Sequence, residues 1–329
     1  MQGCVYAIIL SGMKQHTACT IGVLAAWQVY EGTTVDGYLH VLLDGIRAAA
    51  HDRNCNLLLS CGVAPPSPRR LLTPAWPIPM PDTQFVPVGP WNTDGLLVVP
   101  NRLSAERLSY VQNLIADGHL VVFAGAPELA PTVAVDNAHG IDQAVEHLIA
   151  HGHRKIAFIA GPVNQPGDSL ERLEAYRAAL QRLGLEVDPR LIAYADQPDD
   201  IESGRQAMHK ILAAQVSFSG LLTYNDWVAI GAMQTLQSAR LETPRDVAVI
   251  GFDDRLHARV QDPPLTTVRH PTFDLGYQSL VALLDLMNGT WDGHSPIRIP
   301  TRLVIRQSCG CRSETTPIPR RSDESFTRK

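Results

Sequence analysis

What this sequence has little of narrows its chemistry before any motif is considered. Aromatic residues are 6% of 329, and 28 Lys plus Arg stand against 33 Asp plus Glu, with no clustered basic stretch. Neutralising a phosphate backbone needs such a cluster, so a net charge of -5 argues against a dedicated nucleic-acid surface. No apolar run approaches the roughly 18 residues of a membrane span. The short apolar run Val5 to Leu10 has no Lys or Arg before it and no small-residue cleavage site, so it makes a poor signal peptide and a cytoplasmic location is expected. Cys4, Cys19, Cys55, Cys61, Cys309 and Cys311 match neither a zinc ribbon nor a small disulfide scaffold. Cys55 and Cys61 bracket a predicted strand as small core residues. Cys309-Gly310-Cys311 has a spacing that could chelate or oxidise, but is read as two structural thiols.

Catalytic signatures are equally scarce. There is no phosphate loop ending in Gly-Lys-Ser/Thr, no Gly-x-Ser-x-Gly elbow and no Gly-x-Gly-x-x-Gly after the first strand. The loop from Gly161 to Ser169 follows a strand and opens a helix, so its amides could meet an anion, but it carries no lysine. His147 and His151 are one helical turn apart, with Glu146 and His153 nearby, which is a spacing that metal sites use. Favourable interaction of histidines with a helix C-terminus accounts for them as well, so neither a metal nor a cofactor is expected. No catalytic residue is assigned and the chain is not expected to be an enzyme.

What is present is a regular alternation. In Val133 to Pro162, a β-run ends at Val135, and Ile141, Ala144, Val145, Leu148 and Ile149 recur at helical spacing until Gly152. Ile156 to Ala160 then reads as a strand apolar on both faces, as in a parallel sheet covered by helices on each side. The same pattern predicts strands at Thr20 to Ala25, Asn56 to Cys61, Gly95 to Val99, Leu120 to Phe123, Leu191 to Tyr194, Gly220 to Thr223, Val247 to Gly251, Thr266 to Val268 and a pair around 297–305, with helices between most of them. Only Ala64 to Pro90 breaks it. Its nine prolines deny amide donors and helix interiors, so it is expected to be a long irregular excursion with Trp76, Phe85 and Trp91 as exposed aromatics. With 329 residues the chain suits two lobes, and past Arg312 it turns polar, charged and proline-dotted, as in a tail or linker.

Three segments carry a family likeness. They are Asp168-Ser-Leu-Glu-Arg-Leu-Glu-Ala-Tyr-Arg-Ala-Ala-Leu180, Thr223-Tyr-Asn-Asp-Trp-Val-Ala-Ile-Gly-Ala232, and Val249-Ile-Gly-Phe-Asp-Asp254 followed by Pro263-Pro-Leu-Thr-Thr-Val268. With the Val133 to Pro162 unit, their order and spacing resemble the effector-sensing part of the LacI/GalR transcriptional regulators over about Thr20 to Arg312. The resemblance implies an α/β fold of two doubly wound parallel-sheet lobes joined by three crossovers, of the type I periplasmic-binding-protein kind. Its expected parts are an extension 1–19, an N-terminal lobe 20–135 with 271–299, a C-terminal lobe 136–270 with 300–312, and a tail 313–329.

It further implies an effector held between the lobes and contacted by Arg172, Asn225 and Asp253. A guanidinium grips hydroxyl pairs in fixed geometry, an amide both donates and accepts, and a carboxylate accepts from sugar hydroxyls or base amines. A surface ion pair of Arg172 with Glu171 or Glu174, and a turn role for Asp253, are the plain alternatives. Asp226 is expected to cap the helix it precedes. From the first lobe, Tyr30, then Trp27, and Phe273 match aromatic contacts. No acidic group stands near Phe123-Ala124-Gly125, where sugar-binding relatives carry one, which weakens a simple hexose. The nineteen residues before Thr20 contain no helix-turn-helix pattern, so DNA is expected to be reached only through a module not in this chain. The expected partners are a small polar effector (sugar, nucleobase or related) and a second copy in a homodimer, with no membrane. The competing reading is an extracytoplasmic solute-binding protein of a sugar transporter.

Overall fold

The structure is a computed structural model that describes residues 19–25, 37–60, 87–100, 103–164, 166–197 and 200–311. It separates into two compact units, Met1–Asp136 with Pro271–Pro300 and Asn137–His270 with Thr301–Lys329, so the chain passes from one to the other three times.

Unit 1 is a six-stranded parallel sheet of β1 (Thr20–Ala25), β2 (Asn56–Leu59), β3 (Gly95–Val99), β4 (Val121–Ala124), β5 (Thr132–Asp136) and β11 (Ile297–Pro300), in the order β11-β5-β4-β3-β1-β2. Alternation along β3 explains why it reads as unbroken apolar sequence. Leu97 and Val99 join Ile21 and Val23 against α1 (Tyr38–Asp52) and α8 (Thr272–Met287), while Leu96 and Val98 join Phe123 on the face packed by Val111 and Leu114 of α2 (Ala105–Ala116). Both faces are covered, so neither needs polar residues. Helix α1 buries Leu39, Leu42, Leu43, Ile46, Ala49 and Ala50, a helical stripe, and Ser104 caps α2 by accepting from the Arg107 N–H. Trp91 is 61% exposed, whereas Trp76 and Phe85 lie outside the described residues.

Unit 2 repeats the plan with β6 (Ile156–Ala160), β7 (Ile192–Tyr194), β8 (Gly220–Thr223), β9 (Ala248–Asp253), β10 (Thr266–Arg269) and β12 (Arg302–Val304), ordered β12-β10-β9-β8-β6-β7. All pairs are parallel except β10 with β12. Its helices are α3 (Asn137–Ala150), α4 (Asp168–Arg182), α5 (Ile201–Ala213), α6 (Asp226–Ser238) and the short α7 (Leu256–Arg259). The predicted strand at Leu191 begins one residue later, because Pro189 starts a 3-10 turn capped by Asp188. No helix among the described residues is long and apolar enough to cross a membrane.

Candidate functional site

In unit 2 the chain runs from β6 outward to β7 and then returns past β6 to β8, so the connections diverge between β6 and β8. Beyond the carboxyl ends of strands at such a reversal the sheet leaves a crevice in which ligands bind. Buried Asn137, Arg172, Asn225, Asp226 and His270 of unit 2 gather at this place.

Arg172 sits in the first turns of α4 and is only 4% exposed. Its Nε donates to Asn137 Oδ1 at 2.8 Å and one terminal nitrogen donates to the Tyr224 carbonyl at 2.6 Å, which ties the helix after β6 to the end of β8. Its guanidinium carbon lies 3.6 Å from the centroid of the Phe252 ring, a cation–π contact that costs none of its N–H donors. Asp253 Oδ1 and Asp168 Oδ2 face it at 3.7 and 4.0 Å, ion-pair distances rather than hydrogen bonds. The surface-ion-pair alternative for Arg172 therefore does not hold. Glu171 is bound instead to the Asn137 amide, which donates to it at 2.7 Å and to Asp168 at 2.9 Å.

The helix cap expected of Asp226 falls on Asn225 instead. Asn225 is extended and is the N-cap of α6, its Oδ1 accepting from the Val228 N–H at 3.0 Å, because a cap must precede the first helical residue. Asp226 is that first helical residue. It is buried and turned inward, accepting from the Thr267 hydroxyl at 2.5 Å and the Arg255 N–H at 2.8 Å. Any side chain at Gly251 would collide with this carboxylate, so the glycine makes room for it. Burial first, and the neighbouring Asp253 second, push the Asp226 carboxyl well above the usual carboxylate range.

Asp253 ends β9 with φ 111°, a backbone region that disfavours side chains, and faces Arg172 on one side and Arg255 Nε at 3.6 Å on the other. Its neighbour Asp254 is spent on structure. Its carboxylate pairs with Arg269 at 2.7 Å, Arg259 at 3.4 Å and Arg306, which fastens the segment after β12 to the sheet. His270 completes the buried set. Burial, and then Arg172 and Arg255, hold its imidazole down to about 3, so it is neutral at physiological pH.

The structure thus brings Arg172, Asn225 and Asp253 to one strand-end cluster. Phe273 lies in unit 1, in the first turn of α8, and is 43% exposed. Tyr30 and Trp27 lie outside the described residues. Sequence reasoning missed Asn137, the inward Asp226 and His270. Only Asn137 offers a signal, as a polar residue directly after a buried strand. The cluster can accept and donate hydrogen bonds in fixed directions, which suits the recognition of hydroxyls or amides.

Comparison with known proteins agrees with this geometry. Residues 145–309 match a model described as a periplasmic binding protein-like domain. The chain is 34% identical over 218 residues to the HTH-type transcriptional repressor CytR of Escherichia coli (strain K12), covering 65% of this chain and 62% of that repressor. It is 35% identical over 194 residues to the HTH-type transcriptional regulator CelR of Thermobifida fusca, covering 57% and 56%. Among solved structures, a CelR–cellobiose complex superposes with a TM-score of 0.69 at 25% identity, covering 92% of this chain and 88% of that one. The class is therefore a periplasmic binding protein-like fold. Within it, the chain belongs to the LacI/GalR family of transcriptional regulators. The aligned stretch spans less than two thirds of the two curated regulators.

Proposed function

We propose that this chain is the effector-sensing part of a regulator rather than an enzyme, and that the cluster of Arg172, Asn225 and Asp253 binds a small polar effector. The observation that carries this reading is Arg172. Its guanidinium is buried at the strand-end reversal and fixed by Asn137 and Tyr224, yet it meets its two carboxylates only at 3.7 and 4.0 Å, which leaves donor capacity for a ligand oxygen. Because the Asn225 side-chain carbonyl serves the helix cap, its role toward a ligand is as a donor, while Asp253 accepts. Phe273, Tyr30 and Trp27 are the proposed aromatic contacts from unit 1. The cellobiose bound in the CelR complex supports a hydroxyl-rich ligand, with nucleobases and related molecules as the wider class.

A bound effector favours whichever arrangement of the chain it binds more tightly, and only by the difference in affinity. In this proposal the shift is passed through a homodimer to a separate DNA-binding module, in a cytoplasmic regulator. The test is a thermal-shift screen of the chain against sugars, nucleobases and small acids, repeated with Arg172→Ala and Asp253→Ala. We expect a ligand-dependent rise in Tm that either substitution abolishes, with the far-UV circular dichroism of the variants unchanged. A rise that persists in both variants would place the effector elsewhere.

A further inference from the structure

At the far end of α3 from Asn137, three side chains converge that the effector cluster does not use. His147 and His151 stand one turn apart, and the chain returns to them after β12, putting Cys311 Sγ 3.6 Å from His147 Nε2 and 3.2 Å from His151 Nε2. All three ligand atoms lie within 4.8 Å of one another. The two rings are tilted at 48° with centroids 4.6 Å apart, so they do not stack on each other, and both Nε2 atoms approach one sulfur. A thiol proton satisfies only one imidazole nitrogen. A helix C-terminus attracts positive charge, but that attraction does not aim two ring nitrogens at a common point.

A tetrahedral ion does require such convergence. With zinc–nitrogen distances of about 2.1 Å and zinc–sulfur distances of about 2.3 Å, nitrogen and sulfur ligands lie about 3.6 Å apart. The two nitrogen-to-sulfur separations of 3.6 and 3.2 Å match that span to within a few tenths of an ångström, and the three ligand atoms all lie within 4.8 Å, so an ion would have to draw the two imidazoles together. The supporting residues are also in place. Cys309 is 2% exposed, accepts from the Thr266 hydroxyl at 3.1 Å and interacts electrostatically with the same His147, so a residue of the core stands beside one of the imidazoles. Metal-binding histidines are commonly oriented by such outer partners. His151 is exposed, which gives an ion a route in from solvent.

We propose that His147, His151 and Cys311 form a binding site for a zinc-class divalent cation, with Cys309 as a positioning residue and the fourth position open to solvent. Binding joins the cation to the Cys311 sulfur, whose proton leaves to solvent, and to two neutral imidazoles. Affinity therefore falls as pH is lowered. The ion would fasten the segment after β12 to α3.

The test uses the full chain without an affinity tag, stripped with chelator and titrated with Zn2+ and then with Co2+. One equivalent should bind, and the cobalt form should show tetrahedral visible bands with a thiolate-to-cobalt charge-transfer band. Cys311→Ser should remove the charge-transfer band, and His151→Ala, at an exposed position, should lower zinc affinity at least about tenfold. A Cys19→Ser/Cys55→Ser variant, which alters the other described cysteine pair (Sγ···Sγ 2.8 Å), should keep both signals. Zinc binding no tighter to the parent than to Cys311→Ser would overturn the proposal, as would a charge-transfer band that survives Cys311→Ser.

Discussion

Strands β1, β3 and β4 of unit 1 end on Ala25, Val99 and Ala124, whereas their counterparts by sheet order in unit 2, β6, β8 and β9, end on Ala160, Thr223 and Asp253. The contrast extends inward. Among the described residues, the buried polar side chains of unit 1 are the hydroxyls of Ser60, Thr132 and Ser279, while unit 2 buries Arg172, Asp226, Asn137, Asn225 and His270. One strand order therefore supports two kinds of interior. Buried ion pairs are poor stabilisers, because desolvation consumes most of the Coulomb attraction. Their concentration at one sheet reversal fits the proposed binding role, and among the described residues unit 1 builds the same strand order without them.

Perturbing Asp253, which ends β9, and Asp254, which follows it, tests this comparison most strongly. Asp254→Ala leaves three arginines around an empty place, one of them mostly buried, and should cost about 3–5 kcal/mol in denaturant unfolding. A loss below about 1 kcal/mol would show the hub to be ornamental. Asp253 separates function from stability more finely. Since its φ of 111° suits glycine, Asp253→Gly should be more stable than Asp253→Ala by about 1–2 kcal/mol, although neither should show a ligand-dependent shift. Equal stability of the two variants would mean that the backbone there relaxes without penalty.

The smallest effect is a pH dependence. With its folded value held to about 3, His270 stays neutral in the folded chain while the unfolded chain takes up a proton below about 6.5. Stability should therefore fall as pH drops from 6.5 toward 3, by roughly 1 kcal/mol over the first pH unit below 6.5. Asp226 acts with the opposite sign. Its folded value is raised, so its contribution is present at low pH and is lost as pH rises. Unfolding curves of His270→Asn between pH 7 and 5 should be flatter than those of the parent, and an unchanged slope would assign the dependence to other groups.

Much of the architecture is legible in local pattern. The apolar runs at Ile156 to Ala160 and Gly95 to Val99 read as strands covered on both faces, and the stripe Ile141, Ala144, Val145, Leu148 reads as one face of a helix. Family likeness singled out Arg172, Asn225 and Asp253, which the structure gathers at one edge. What local pattern could not supply was the partner of each group. The cap falls on Asn225 rather than Asp226 because the helix begins one residue earlier than expected, and that start also turns Asp226 toward Thr267, 41 residues on.

Sequence alone determined the alternation of strand and helix and the identity of the polar residues, since periodicity and side-chain chemistry are local properties. Tertiary structure decided which of those residues meet. Asn137 reaches Arg172 across 35 positions, and Cys311 reaches His151 across 160. Such contacts exist only once parallel strands are set side by side, because the order of the sheet, and not distance along the chain, selects the neighbours.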